Sequence, residues 1–423
     1  MNINTNIKKT LFQQLFILFF FLILASAPPL FSVVFGLDSH SFGILFSSLV
    51  LVVLIRKLVL PSSMSVVVFI FFLFYFAIQH IFVGEWQPKS YYSFPLFVFM
   101  SYVSYACAKS LCKIDPIVLE RSFVLFFYFL TALGFVHLLS SYSLGRVFGF
   151  NHAKQMFPFS EPSHFALFYG SFFVFYVARF TPRIGSFVAV LFALILALLI
   201  PSTTLLVMVA IGFSVLLSRS KLGAFFAVTP VLAVLTIFAT MFVSSNEYFS
   251  SRLNISPESD NLSSLVYLQG WSDARRSLGS TNGLGLGFQM LGTQPPSIYA
   301  FRIAQVMGDS TAESNRQDGG FLAAKIVSEL GYAGFLLIGV YLYLLLRSFS
   351  LMRVSSASSA YFDGAGIVAA SIVIAFSVEL FARSVGYFSS QVMIFMVAAF
   401  YLHNTGFAVK SSWRVSRRSS ERA

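Results

Sequence analysis

The stretch from residue 184 to residue 218 reads IGSFVAVLFALILALLIPSTTLLVMVAIGFSVLLS and contains no charged side chain. It is longer than the roughly 20 residues that an α-helix needs to cross the hydrocarbon core of a bilayer. The segment Pro201-Ser202-Thr203 interrupts it, because proline cannot continue a helix without loss of a hydrogen bond. The stretch therefore predicts membrane-spanning helix, arranged either as a tight hairpin of two short helices or as one broken helix.

The rest of the chain has the same character. Of its 423 residues 57% are hydrophobic and 10% are charged, and the mean hydropathy of +0.81 lies outside the range of soluble domains. We predict an all-α, polytopic membrane protein that forms one membrane domain over 1–423, with about twelve transmembrane helices. The predicted spans are 11–35, 41–55, 64–83, 92–108, 122–140, 164–178, 184–200, 203–217, 223–243, 331–346, 364–382 and 386–402.

Lysine and arginine accumulate on one side of these predicted spans. With the N-terminus inside, eighteen of the 28 basic residues but only four of the 16 acidic residues fall on the inner side, as expected for a cytoplasmic face. Both termini are therefore predicted to be cytoplasmic, and the first run is interpreted as an uncleaved helix. Two long loops, 141–163 and 244–330, are predicted to be periplasmic, and the basic tail 403–423 to be cytoplasmic. Topology thus accounts for the net charge of +12, which does not indicate nucleic-acid binding.

The first long loop gathers ionisable side chains just before a predicted span. It reads LGRVFGFNHAKQMFPFSEPSHFALF over residues 144–168. A helix start, with Ser160 or Ser163 as the cap and proline in the first turn, accounts for part of this pattern. It does not account for Glu161 and His164 at the membrane edge, where burial of either costs several kcal/mol unless the group is paired or used. We interpret Glu161 and His164 as candidate catalytic residues.

The second long loop contains paired arginines followed by glycines. Arg275 and Arg276 fall on a predicted short helix, and guanidinium groups bind phosphate oxygens well. Gly283, Gly285 and Gly287 follow at alternate positions, where they either form a plain turn or let the backbone approach a diphosphate. The spacing alone does not decide between these two interpretations of the glycines.

Two pairs of opposite charges have helical i, i+4 spacing, namely Lys325 with Glu329 and Glu379 with Arg383. A local ion pair is the simplest interpretation of each, although Arg383 is also a candidate ligand for phosphate. Five further charges, which follow the glycines in the long loop, are interpreted as solvated. They are Arg302, Asp309, Glu313, Arg316 and Asp318. The outer loops contain no nucleotide-binding loop and no Asp-x-Asp pair, so neither a metal nor a cofactor is predicted.

Three short pieces, in this order, give the chain a resemblance to a known family. They are Phe159-Ser160-Glu161-Pro162-Ser163-His164, then Gly270-Trp271 leading to Arg276 and Gly287, then Asp318-Gly319-Gly320-Phe321 leading to Glu329-Leu330-Gly331-Tyr332-Ala333-Gly334. Together with the spans and loops, they resemble the Wzy-type O-antigen polymerases, whose superfamily also holds the O-antigen ligases. Ligases are expected to have a His-Asn pair where this chain has Gly320-Phe321, a difference that favours polymerase.

The resemblance implies a function in the bacterial inner membrane. The expected reaction is a metal-independent transfer between undecaprenyl-diphosphate-linked oligosaccharides at the periplasmic face, in lipopolysaccharide or related polysaccharide biosynthesis. The lipid bilayer, a chain-length regulator and a flippase are the other expected partners. The hypothesis assigns the diphosphate to Arg276, assisted by Arg275 and Arg146, and the acceptor proton to Glu161 or to His164. A ligase and a lipid-linked sugar flippase or other transporter remain the alternatives.

Overall fold

All regular structure described in the computed structural model is α-helical. It describes residues 3–35, 40–55, 60, 63–84, 87–148, 156–180, 184–200, 202–219, 256–308, 312, 316–357 and 364–405. The helices are Ile3–Phe35 (α1), Ser41–Ile55 (α2), Ser63–Val83 (α3), Pro88–Leu111 (α4), Pro116–Phe148 (α5), Pro162–Phe180 (α6), Ile184–Leu199 (α7), Thr203–Arg219 (α8), Leu262–Ser280 (α9), Ile298–Met307 (α10), Leu322–Ala357 (α11), Gly364–Phe381 (α12) and Ser390–Thr405 (α13).

The helices identify a helical membrane protein. Within the described ranges, five segments are long and apolar enough to cross a bilayer, and five shorter apolar helices accompany them. The five long segments are Thr10–Ser32, Pro88–Leu111, Pro116–Ser140, Leu322–Arg353 and Gly364–Phe381. Eleven of the twelve predicted spans fall on described helices, and 223–243 lies outside the described residues. The total of twelve spans and their orientation stay predictions.

The interrupted apolar stretch of residues 184–218 forms two helices, α7 and α8, that pack against each other. The Ser202 hydroxyl accepts a hydrogen bond from the Leu205 amide at 3.3 Å and so satisfies one of the free amides at the start of α8. Of the two arrangements that the sequence left open, the hairpin of two short helices is the one that forms.

Helices α6 and α12 form the centre of the bundle and pack against each other. Both are buried along almost their whole length, because aromatic residues of α6 and small or branched residues of α12 fill the space between the surrounding helices. The two helices are antiparallel: His164 at the start of α6 and Glu379 near the end of α12 line one small recess. We call this end of the bundle the cavity end.

The opposite end of the bundle is held by arginines. Arg179, at the end of α6, forms an ion pair with Glu120 of α5. Arg219, at the end of α8, donates a hydrogen bond to the Met352 carbonyl of α11 at 2.5 Å. Since fifteen residues of helix separate His164 from Arg179, this arginine end lies roughly 22 Å from the cavity end.

A kink in α11 shapes the cavity end. Gly331 has φ 57° and ψ −133° inside α11, so the predicted span 331–346 begins at the kink and the helix itself begins nine residues earlier. The glycine turn of residues 283–287 docks on this kink. The Leu286 and Gly287 amides donate to the Ser328 and Glu329 carbonyls at 2.9 and 3.0 Å. Helix α3 also contacts the docked turn and the kink, because the side-chain amide of Gln79 donates to the Leu284 and Glu329 carbonyls at 2.6 and 2.8 Å.

The docked turn gives a direct stability prediction for Gly285. Its φ is +79°, and an added Cβ would lie 2.6 Å from the Glu329 carbonyl oxygen. Gly285→Ala should therefore cost about 1–3 kcal/mol of unfolding free energy and lower the unfolding temperature of the purified protein. Gly279→Ala is the matched control: Gly279 lies in α9 with open space around it, so alanine there should be neutral or stabilise by up to about 1 kcal/mol. Equal unfolding temperatures for the two variants would contradict the docking role.

Candidate functional site

A polar cavity of about 1030 Å³ opens at the cavity end, between the first turn of α6, the segment after α12 and the loop before α11. Its volume is that of a large ligand site. Four cationic side chains line it, together with two carboxylates and two histidines, so its formal charge is positive with neutral histidines. The charged and histidine residues of the lining are Lys89, Arg316, Lys325, Arg383, Glu161, Asp318, His40 and His164.

An ion pair between Arg383 and Glu161 crosses one wall of the cavity. The Arg383 guanidinium donates to Glu161 Oε2 at 3.2 Å, and the same oxygen accepts the Ser163 hydroxyl at 2.9 Å. The two charged side chains are 33% and 48% exposed, so solvent or a ligand can reach both. The pair brings together two residues that are 222 positions apart in the sequence, the candidate base Glu161 and the candidate phosphate ligand Arg383.

The expected local pair between Glu379 and Arg383 does not form, and this prediction was wrong. Helix α12 ends at Phe381, and the Ala382 and Arg383 amides both turn back to the Val378 carbonyl. Arg383 therefore lies beyond the last regular turn, where i, i+4 spacing no longer brings side chains together. The Glu379 carboxylate accepts hydrogen bonds from Ser384 and Ser389 instead, at 3.4 and 2.7 Å.

His164 lies beside this ion pair, in the first turn of α6. Its Nδ1 shares a hydrogen bond of 2.7 Å with the Ser160 hydroxyl, which leaves Nε2 as the other exchangeable position of the ring. The predicted helix start is confirmed, but Ser160 and Ser163 bind side chains there. The His164 ring packs edge-to-face on His40, with ring centroids 5.7 Å apart. Burial lowers the pKa of His40, and the nearby Asp318 carboxylate opposes that shift.

Lys89 and Lys325 hold the loop before α11, which forms the wall of the cavity opposite the Glu161–Arg383 pair. Lys89 donates to the Gln317 side-chain oxygen at 2.5 Å, and Lys325 donates to the Gln317 carbonyl at 2.6 Å. Lys325 also lies 5.4 Å from the centre of the Tyr387 ring and 4.0 Å from the Glu329 carboxylate. The local Lys325–Glu329 pair is thus confirmed, and both side chains are buried. These contacts place Arg316 and Asp318, on either side of Gln317, at the cavity.

Arg276 does not line the cavity. It lies on α9, where it donates to Asp273 at 2.5 Å and to the Pro295 carbonyl at 2.9 Å. Burial raises the pKa of Asp273, and the neighbouring Arg276 and Arg316 guanidinium groups oppose that shift. Arg316 in turn donates to the Gln294 carbonyl. Arg276 therefore fixes the 294–296 segment that supports a cavity arginine.

This position predicts a structural effect for Arg276→Gln. Loss of the Asp273 pair and the Pro295 contact should cost roughly 1–2 kcal/mol of unfolding free energy, since the guanidinium is 37% exposed and partly screened. The unfolding temperature of the purified protein should fall. Arg275→Gln is the control, because Arg275 is exposed on the same helix and has the same charge. A diphosphate ligand role for Arg276 would instead reduce activity with an unchanged unfolding temperature.

The other candidates divide as follows. Gly283, Gly285 and Gly287 pack on the kink of α11 and do not line the cavity, which agrees with a plain turn. Arg275 does not line the cavity either. The Arg146 side chain lies outside the described residues.

Several cavity residues were missed or misjudged from the sequence. His40 and Lys89 were missed because each lies in a short polar segment between two apolar runs, DSHS over 38–41 and EWQPKS over 85–90, which hydropathy identifies only as a connecting loop. Arg316 and Asp318 line the cavity, although the sequence predicted them to be solvated loop charges. Only the folded chain shows that Lys89 and Lys325 place their loop against α6 and the segment after α12.

The donor set of the cavity suits an anionic ligand. Lysine and arginine side chains supply hydrogen-bond donors that bind phosphate oxygens, and arginine can do so through two parallel N–H groups. Throughout the described ranges, no three His, Cys, Asp or Glu side chains converge as a metal-binding group would. No protein-family model matches the chain, and no curated protein matches it either.

Proposed function

We propose that this protein polymerises undecaprenyl-diphosphate-linked oligosaccharide repeat units into O-antigen or a related surface polysaccharide, by glycosyl transfer at the periplasmic face of the bacterial inner membrane. The observation that carries the proposal is the cavity at one end of the bundle. There a cluster of cations adjoins the Glu161 carboxylate and His164, so diphosphate binding and proton transfer have their groups side by side. The family resemblance of the sequence supplies the substrate class.

Arg383 is the principal diphosphate ligand in this proposal, assisted by Arg316 and the two lysines. Its Nε–H is buried and has no acceptor within the described structure, so a phosphate oxygen would satisfy a donor that is now unused. Positive charge at this position stabilises the negative charge that develops on the diphosphate as it leaves the anomeric carbon. Arg276 has an indirect role in this proposal, because it fixes the 294–296 segment that positions Arg316.

Glu161 takes the proton of the acceptor hydroxyl. In the free protein its carboxylate is held by Arg383 and Ser163. When the donor diphosphate draws Arg383 away, Glu161 loses a stabilising cation and becomes a stronger base. The acceptor oxygen then forms a bond to the anomeric carbon, the bond from that carbon to the phosphate oxygen breaks, and the electron pair leaves with the lipid diphosphate. His164 is the alternative base.

The proposed orientation follows from the two ends of the bundle. Arg179 and Arg219 lie at the end opposite the cavity, and both belong to the set of basic residues that the sequence assigns to the cytoplasm. The positive-inside rule then supports a periplasmic cavity. Lipid-linked repeat units delivered by a flippase would reach the cavity from the outer leaflet, and a chain-length regulator would act on the growing product.

A lipopolysaccharide gel tests the proposal. A strain that lacks the gene is compared with the same strain carrying the gene on a plasmid. Collapse of the ladder to core plus one repeat unit, with restoration by the plasmid, is the expected result. Loss of the single-unit band as well would favour a ligase or a flippase. An unchanged ladder, together with unchanged amounts of the other surface polysaccharides, would refute the proposal.

A further inference from the structure

A small recess of about 30 Å³ adjoins the cavity, and His40 and His164 line both spaces. Its inner wall is the end of α12 and the start of α13. The volume is sufficient for about two water molecules. The recess is therefore a mostly apolar extension of the site into the centre of the bundle, and its polar lining residues are His40, His164, Glu379, Ser389, Ser390 and Gln391.

Glu379 is the unusual residue of this recess. It is only 1% exposed, on a helix that is otherwise uncharged, and its Oε1 accepts hydrogen bonds from Ser384 and Ser389. Its Oε2 is buried and makes no hydrogen bond to any described protein group. A carboxyl group inside a membrane protein is costly unless it is paired or functional, and here the charged partner is missing within the part of the chain described.

Gln391 supplies the complementary observation. Its side-chain nitrogen is buried, lines the same recess and has no hydrogen-bond acceptor among the described residues. An unused acceptor and an unused donor thus line one small recess that is also lined by two imidazole rings. Buried water typically makes about three hydrogen bonds to groups of this kind.

We propose that water in this recess connects His164 to Glu379, and that Glu379 stores the proton that the glycosyl transfer releases. The inference rests on the proposed function. The acceptor hydroxyl gives its proton to the base in the cavity, the proton passes to His164 and through the water to Oε2, and the carboxylate becomes a neutral carboxyl group. This step removes the positive charge of protonated His164, which lies next to Arg383. It also removes the negative charge of Glu379 inside the bundle.

The other titratable groups around this path are few. Within the recess lining they are His40 and His164, and from the cavity side Glu161 and Arg383 act electrostatically on His164. Glu258 is an exposed carboxylate of the long loop and lines neither space. It is therefore a suitable control carboxyl group.

Infrared difference spectra of the purified protein in lipid vesicles, recorded while the pH is varied, test the proton site without reference to activity. The spectra of the wild type and of Glu258→Gln should share a pH-dependent C=O band from a buried, protonated carboxyl group. That one band should be missing from Glu379→Gln, while the bands of the other carboxyl groups remain. Identical spectra for the wild type and Glu379→Gln would overturn the inference.

Polymer formation from repeat units extracted from the deletion strain tests the link to the reaction. Glu379→Gln should lower the rate roughly tenfold or more and alter the pH profile, whereas Glu258→Gln should keep the wild-type profile. A wild-type rate and profile in Glu379→Gln would overturn the inference and leave the proposed function intact. Absence of polymer with the wild-type protein would count against the proposed function alone, because the infrared result stands independently.

Discussion

Arg383→Gln should abolish polymer formation almost completely, with a loss of about 10²–10³-fold in rate. The substitution removes the cation that faces Glu161 and, in the proposed reaction, the leaving diphosphate. Because Arg383 lies beyond the last turn of α12 and is 33% exposed, its loss should leave the packing of the bundle intact. The measurement is the lipopolysaccharide ladder of a deletion strain that expresses the variant, with the protein level in the membrane determined alongside.

Arg302→Gln is the matched control for Arg383. Arg302 is 34% exposed, belongs to the same side of the protein and pairs with Asp260 at 2.6 Å, but it does not line the cavity. Its replacement should leave the ladder unchanged. Arg383→Lys should give an intermediate ladder, since lysine keeps the charge but not the planar pair of donors. A full-length ladder from Arg383→Gln at normal protein level would remove Arg383 from the reaction.

Glu161→Gln should lower polymerisation by about 10²–10⁴-fold at an unchanged protein level. Glutamine keeps the shape of the side chain and can still accept hydrogen bonds from Arg383 and Ser163, so the helix start should remain folded. It cannot take a proton at neutral pH. The loss should therefore appear in the rate of the chemical step, and the binding of lipid-linked substrate by the purified protein should be retained.

Glu258→Gln provides the comparison, because Glu258 is an exposed carboxylate of the same long loop outside the cavity. It should behave as wild type. If Glu161→Gln also gives wild-type chain length, Glu161 is not in the reacting set. His164→Asn would then become the decisive variant, since His164 is the second base within reach of the cavity.

The fold was largely predictable because apolar length is a strong signal. The span predicted at 41–55 matches α2 at both ends, and those at 184–200 and 203–217 match α7 and α8 to within two residues. An arginine or a proline lies within two residues of at least one end of each stretch, namely Arg56, Arg183 and Pro201. The start of helix α11 was harder to predict. Its first nine residues, Leu322–Leu330, include the buried charges Lys325 and Glu329, and charged residues lower the hydropathy by which a span is recognised.

The site was only partly predictable, for a different physical reason. Glu161 and His164 stood out because ionisable groups at a membrane edge are costly. Arg276 and Arg316 differ little as isolated arginines, yet one supports a segment and the other lines the cavity. That difference depends on contacts between segments far apart in the chain, and local spacing carries no information about them.

The ion pair of Glu161 with Arg383 also has a consequence for biogenesis. The two residues are 222 positions apart, so ribosomes adding 5–20 residues per second need roughly 10–45 s between the two codons. During that interval α6 is already made, while the arginine that will neutralise the carboxylate at its start does not yet exist. We therefore expect the nascent protein to keep Glu161 in contact with water until α12 is inserted, and a chain truncated before α12 would lack the arginine partner of Glu161.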